Sequence, residues 1–399
     1  MRRLPSCRLL LAVVVSCLGA APQRAQSRSD APDPGRQHFA AGDYGAAEAA
    51  FSRDLAAGRN DASLYYNRAL ARFNQQNYRG ARTDLDAYLA LAPRAAAALA
   101  FRANVALLLG DPAGAVADAD AALESAPDDL DTLLVRGQAR LALGRTDAAF
   151  ADFARALERA PRHPAALVGR GDVQLARGRL PEAQEDFARA ASLAPQDPDA
   201  HYKLGLAQFR QLNFAAAVPN LETAGRLAPE SSLVARALGC AQYAAGDFAR
   251  AAQTLQRAVA LDPADTPYAR LLLHLAQRRG DQPVAAAPAD GPAPATTVPS
   301  DWPGLLLRYV RGEATEDDLL LGAQNLAPAS ARAGRWCEAH YYLGSMRLLA
   351  KDTRGARYAF QEALATGQTA FTEHTLARAE LDRLVDLPEP PKPRPSRRH

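Results

Sequence analysis

Residues 127–161 read PDDLDTLLVRGQARLALGRTDAAFADFARALERAP, and residues 161–195 read PRHPAALVGRGDVQLARGRLPEAQEDFARAASLAP. Laid one under the other, they share prolines, small residues and alanines at the same places. The register extends outward in both directions. Pro93, Pro127, Pro161, Pro195, Pro229 and Pro263 follow one another at intervals of 34 residues without slippage. A fixed period in this range marks a repeat architecture, in which each unit buries its apolar face against its neighbours.

Counting back from each proline shows what recurs. Twelve residues earlier stands alanine: Ala81, Ala115, Ala149, Ala183, Ala217 and Ala251. Twenty-four earlier stands a small residue: Ala69, Ala103, Gly137, Gly171, Gly205 and Gly239. Eight earlier a large apolar residue recurs, as Leu85, Phe153, Phe187, Leu221 and Leu255. The pattern predicts two helices per repeat. Small residues let the helix backbones approach, and the large one fills the space beside them. Gly110, Gly144, Gly178 and Gly246 stand between the two helices, where glycine closes a helix in the left-handed conformation. The proline ends the second helix. An earlier unit without the proline keeps Gly35, Gly42, Ala47 and Phe51 in phase. After Pro263 one more helix is expected, over about residues 267–279, before the period stops.

A charged pair varies together across the repeats. Arg68, Arg102, Arg136 and Arg170 stand 25 residues before their prolines, and Asp84, Asp118, Asp152 and Asp186 stand nine before the same prolines. The next two repeats lose both members, with Leu204 and Asn220, then Leu238 and Thr254. The joint loss favours an ion pair or hydrogen bond between the two helices of one repeat. An arginine ladder gripping an anionic ligand would not need the aspartate to vanish with the arginine. Breaking a partly buried pair from one side costs on the order of 3–5 kcal/mol. Arg136→Leu is therefore expected to destabilise, and a second change, Asp152→Thr, to recover most of the loss.

Composition sets limits on function. The formal charge of +3 comes from Arg2, Arg3 and Arg8, in a 16-residue start that contains no acid; the remainder holds 44 basic and 44 acidic residues. No basic excess points to nucleic acid. The charged start and the apolar run Leu9–Val15 read as an export signal, too short for a spanning anchor. Three readings of its processing stay open. Val14-Val15-Ser16-Cys17 is a lipobox-like word that would make Cys17 a lipidation site, the small residues Ala25 and Ser27 suit ordinary cleavage near Ser27, and the start could also stay uncleaved. Cys240 and Cys337 read as buried, unbridged thiols, about three repeats apart.

No HExxH, CxxC, phosphate loop or nucleophile elbow is present. The seven histidines have no ligand spacing to one another. No enzyme activity, metal or cofactor is expected. The segments are expected as an export signal (1–27), a repeat array (28–281), a Pro/Ala-rich linker (282–300), a C-terminal helical segment with one further repeat (301–387) and a disordered basic tail (388–399).

The small residue, alanine, aromatic or leucine, alanine and proline at these spacings resemble the tetratricopeptide repeat family. The resemblance implies an all-α, right-handed solenoid of antiparallel helix pairs that binds proteins or peptides. It also implies a concave face built from first helices, to which Tyr66, Phe73, Asn104, Gln138, Asp172, Tyr202, Phe209 and Tyr243 would contribute. Aromatic and amide groups suit peptides there. The carboxylate-gripping Lys and Asn set of chaperone-binding members is not reproduced.

Beyond the linker, the words WP (302–303), CEA and YYLG (337–344), F-EALATG (360–367) and ARAEL (377–381) resemble NlpI-like tetratricopeptide lipoproteins of bacterial envelopes over Trp302–Leu384. His340 and His374 depart from it, standing where an aromatic is expected. This resemblance implies an adaptor on the periplasmic face of the outer membrane, with peptidoglycan hydrolases or a protease as partners and membrane contact only through a lipid anchor. The alternative is a periplasmic assembly factor for pilus, secretion or outer-membrane complexes.

Overall fold

The structure, a computed structural model, describes residues 33–59, 61–264, 267–280, 301–325 and 329–385. The expected export signal with Cys17, the linker and the basic tail lie outside the described residues. Among the described residues there are twenty helices and no strand. Two compact units divide at Ala194 and Pro195.

The first unit holds α1 (Pro34–Ala40), α2 (Tyr44–Ala56), α3 (Ala62–Asn74), α4 (Tyr78–Leu91), α5 (Ala96–Leu108), α6 (Pro112–Ser125), α7 (Leu130–Ala142), α8 (Thr146–Arg159), α9 (Pro164–Ala176) and α10 (Leu180–Leu193). Consecutive helices pack as hairpins, and each hairpin packs on the next. From α2 on, the helices run to 13 or 14 residues, a length that is marginal alone in water, so stacking is what stabilises them.

The turn inside each hairpin sits at one place in the period. Gly42, Gly110, Gly144 and Gly178 have φ of +72° to +78°, and Gln76 takes the same left-handed conformation at φ +61°. The turn is thus set by the register of the repeat even where glycine is missing. The next residue caps the second helix: Asp43, Asn77 and Asp111 accept from the backbone N–H three residues on, at 2.9–3.0 Å. Arg145 and Arg179 give no such side-chain cap.

Small and large residues meet sixteen apart. A Cβ on Gly137 would lie 2.8 Å from Cζ of Phe153, and one on Gly171 would lie 2.6 Å from Cε1 of Phe187. Both rings are fully buried. In the neighbouring repeat Ala103 and Ala119 share the position, so the contact is closed there without a ring. Overpacking of this kind is destabilising. Gly171→Ala is expected to lower stability by roughly 1–3 kcal/mol despite the better helix propensity of alanine. Urea unfolding checks this against Gly45→Ala, where the nearest side-chain atom is 3.8 Å away.

The second unit begins with two further hairpins, α11 (Pro198–Arg210) with α12 (Phe214–Leu227) and α13 (Ser232–Ala245) with α14 (Phe248–Leu261). α15 (Pro267–Arg279) follows, then α16 (Trp302–Arg311), α17 (Glu316–Asn325), α18 (Ala329–Leu349), α19 (Thr353–Ala365) and α20 (Thr372–Val385). The same rules hold here. Gly205 and Gly239 meet Leu221 and Leu255, and Leu212 holds the left-handed turn at φ +65°. The hairpin α18–α19 repeats the contact: a Cβ on Gly344 would lie 2.6 Å from Cε1 of the buried Phe360.

The C-terminal helices share one hydrophobic core with the repeats before them. Leu271, Leu275 and Tyr243 cluster with Trp302, Leu306, Tyr341, Tyr342, Phe360 and Leu376. Polar ties cross the same core. The buried Glu338 accepts from the Trp302 indole and from Tyr268 Oη. Glu380, 1 % exposed, pairs with Arg279 of α15 and with Arg383 at 2.7 Å. Arg383 Nη2 donates to the carbonyls of Tyr243 and Ala244, at the end of α13. Thus the segment folds back on α13 and α15 rather than standing apart from them.

Cys240 and Cys337 are free, and burial pushes both thiols up to about 12, so they stay protonated at neutral pH. His340 stacks against Trp336 at 4.7 Å between ring centroids, and burial lowers its pKa. A neutral imidazole does the packing work of the aromatic expected at that place.

Candidate functional site

The paired charges occupy the interface of the two helices in the four hairpins from α3–α4 to α9–α10 of the first unit. Arg68 Nη2 lies 2.6 Å from Asp84 Oδ1, with Nε at 3.0 Å from Oδ2. Arg102 holds Asp118 at 2.6 and 2.7 Å, Arg136 holds Asp152 at 2.7 and 3.2 Å, and Arg170 holds Asp186 at 2.6 and 2.8 Å. These are two-pronged guanidinium–carboxylate contacts. Hydrogen bonds to the paired aspartate hold the Arg68, Arg102 and Arg170 guanidiniums above the usual arginine range.

Two features of this layer were not visible in the pair alone. A second arginine reaches two of the aspartates, with Arg72 Nη1 2.9 Å from Asp84 and Arg140 Nη1 2.8 Å from Asp152. Three of the four pairs also reach back to the preceding hairpin: Arg68 to Ser52 at 3.2 Å, Arg102 to Asp86 at 2.9 Å and Arg136 to Asp120 at 2.7 Å. The charge layer therefore joins hairpins as well as closing them. In the second unit, where the pair is lost, Asn220 bonds Gln208 at 3.0 Å in its place.

The first-helix residues expected on the concave face divide by burial. In the first unit Tyr66 and Phe73 are core residues, packed edge-on or tilted against Tyr88, Phe101 and Tyr78 at 5.3–5.8 Å between ring centroids. In the second unit Phe209 stacks on Phe214, and the fully buried Tyr243 accepts from Arg279 at 3.3 Å. These four pack hairpins together and present no open surface. Asn104 is buried too, and its Oδ1 has no hydrogen-bond partner among the described residues. Gln138, Asp172 and, in the second unit, Tyr202 keep partial exposure. Asn104, Gln138 and Asp172 are equivalent positions on α5, α7 and α9, which pack in sequence, so they form one polar row in the first unit.

Comparison with known proteins agrees with this architecture. The family described as tetratricopeptide repeat matches residues 66–129, 134–198 and 202–266. The chain carries tetratricopeptide repeats. Among solved structures it is similar to a tetratricopeptide repeat protein from Parabacteroides merdae, at 21% identity and a TM-score of 0.51, over 61% of this chain and 96% of that one. It is also similar to PilF from Pseudomonas aeruginosa, at 18% identity and a TM-score of 0.45, over 51% of this chain and 93% of that one. A third is a tetratricopeptide repeat protein from Cytophaga hutchinsonii, at 20% identity and a TM-score of 0.43, over 60% and 98%. No curated protein matches the chain. Among the described residues no three His, Cys, Asp or Glu side chains are grouped to hold a metal ion, and no helix is long and apolar enough to cross a membrane.

The repeats make the chain a protein-interaction scaffold. In its polar row the partly exposed members are the Gln138 amide on α7 and the Asp172 carboxylate on α9.

Proposed function

We propose that the chain is an exported adaptor of a bacterial envelope that gathers cell-wall hydrolases or brings them to their protease. The observation that carries this reading is the C-terminal segment. Its distinctive words, from Trp302-Pro303 to the ARAEL of α20, supply Glu338, which meets Trp302 within the segment and Tyr268 of α15, and Glu380, which meets Arg279 of α15. The charged, apolar N-terminal run supports export, and Cys17 is the position at which a lipid anchor would attach. The same segment leaves three large apolar side chains open, Leu321 on α17 at 55 %, Tyr358 on α19 at 60 % and Val385 at the end of α20 at 73 %.

Deleting residues 301–387 would uncover Leu271 and Leu275, so truncation tests folding rather than binding. The full chain, immobilised and exposed to envelope extract, is expected to retain cell-wall hydrolases or an envelope protease. The double variant Leu321→Glu with Tyr358→Ser, folded by circular dichroism, is expected to lose them. Absence of both enzyme classes from the wild-type capture overturns the reading, and recovery of pilus or secretion components instead would favour an assembly factor.

A further inference from the structure

In the first unit an open cleft of about 320 Å³ lies between α8, α9 and α10, lined by Ala154, Leu157, Glu158, Pro161, Arg170 and Arg189. Its two arginines differ from their equivalents one repeat earlier. There, Arg136 Nη1 is held by Asp120 at 2.7 Å and Arg155 Nε by Asp128 at 2.9 Å. One period on, Asp120 becomes Ala154 and Asp128 becomes Arg162. Both acids from the preceding hairpin are thus lost at one junction. Arg170 keeps Asp186 through Nε and Nη2, and its Nη1 has no hydrogen-bond partner among the described residues. Among the described residues Arg189 reaches only the Pro161 carbonyl, at 3.4 Å.

The carbon surface of Leu157, Ala154 and Pro161 lines the cleft, and an extra cation, Arg162, stands in the adjoining loop. Glu158 is an exposed acid on the same lining and opposes an anion. Where the preceding hairpin supplies a carboxylate to each arginine at one junction, among the described residues it supplies none to Arg170 Nη1 or to Arg189 at the next. Guanidinium donors arranged in this way match a planar carboxylate better than any neutral group. We propose that this cleft binds an acidic side chain of a partner protein, the external carboxylate taking the place that Asp120 fills one repeat earlier. The proposal rests on the scaffold reading and adds the chemistry of one contact. It lies beside second helices, apart from the polar row on α5, α7 and α9.

The test uses the full chain and small probes, so it does not depend on finding the partner. N-acetyl-L-glutamate α-methylamide is titrated while the arginine Nε–Hε signals are followed by NMR. Saturable shifts at Arg170 and Arg189 are expected, with a dissociation constant on the order of millimolar for so small a probe. The glutamine analogue should give none. Ala154→Asp restores the acid present at Asp86 and Asp120, so it is expected to fold and to weaken binding about tenfold or more. Glu158→Gln is expected to tighten it. No saturable shift, or equal binding by Ala154→Asp, overturns the proposal. Binding of inorganic phosphate or N-acetyl-L-leucine in preference to the glutamate probe overturns the acidic side chain as its source. The scaffold reading survives such a failure if the envelope capture succeeds.

Discussion

Arg170→Leu is expected to destabilise the first unit by about 3–5 kcal/mol. Asp186 is 3 % exposed, and both its oxygens are taken up by Arg170 at 2.6 and 2.8 Å. No second arginine reaches it among the described residues. The single change leaves a buried carboxylate without a cation. Arg136→Leu is expected to cost less, about 1–3 kcal/mol, because Arg140 still holds Asp152 at 2.8 and 2.9 Å. The double variant Arg170→Leu with Asp186→Thr copies the residues that the chain itself uses at Leu238 and Thr254. It is expected to recover most of the loss, since an ion pair replaced whole is often near neutral. Urea denaturation of the wild type, Arg170→Leu, Asp186→Thr and the double variant gives the coupling directly. Equal losses in Arg170→Leu and in the double variant would mean that the pair does not hold the hairpin.

The second large effect is expected at Glu380. Its carboxylate is 1 % exposed and faces two cations, Arg279 from α15 and Arg383 from its own helix. Arg383 has the α13 carbonyls as further acceptors, while Arg279 has Tyr243 Oη and the faces of the Tyr243 and Phe248 rings. Glu380→Ala removes the only carboxylate paired with Arg279 among the described residues, with an expected loss of roughly 3–5 kcal/mol. Glu380→Gln keeps the shape and an acceptor and is expected to lose about half as much. Because the lost contact is what ties α20 to α15, hydrogen exchange should rise first in α20. Uniform loosening of the whole second unit at the same denaturant concentration would show that α20 does not open by itself.

Much of this was legible in the sequence because the repeat states each contact several times. Glycine against phenylalanine sixteen residues later appears at Gly137, Gly171 and Gly344, and arginine against aspartate at the same separation appears four times. The second arginines were harder to see, since Arg72 and Arg140 have Ala106 and Gln174 at the equivalent places of the other two repeats. The back-folding of the C-terminal helices leaves no period at all. Its contacts join Trp302 to Glu338 and Arg279 to Glu380 at separations that occur once each, so no recurrence in the sequence announces them.

Among the site residues, aromatic character misled. Tyr66, Phe73, Phe209 and Tyr243 are large apolar bodies at positions where adjacent hairpins meet, so the same burial that stabilises the stack removes them from solvent. Polarity was the better guide, since Gln138 and Asp172 are the members of the first-unit row that keep some exposure. The cleft at Arg170 shows only when each repeat is compared with the one before it, through the acids that Ala154 and Arg162 replace.

The central claim is that a partner protein lies along the first helices of the repeats. A photoreactive residue in place of Gln138, compared with one in place of the exposed Thr83 on α4, tests it most directly. Irradiation in envelope extract is predicted to join the Gln138 variant to a cell-wall hydrolase or its protease and to leave the Thr83 variant unjoined. Equal adducts at the two positions, or none at Gln138, would contradict the account.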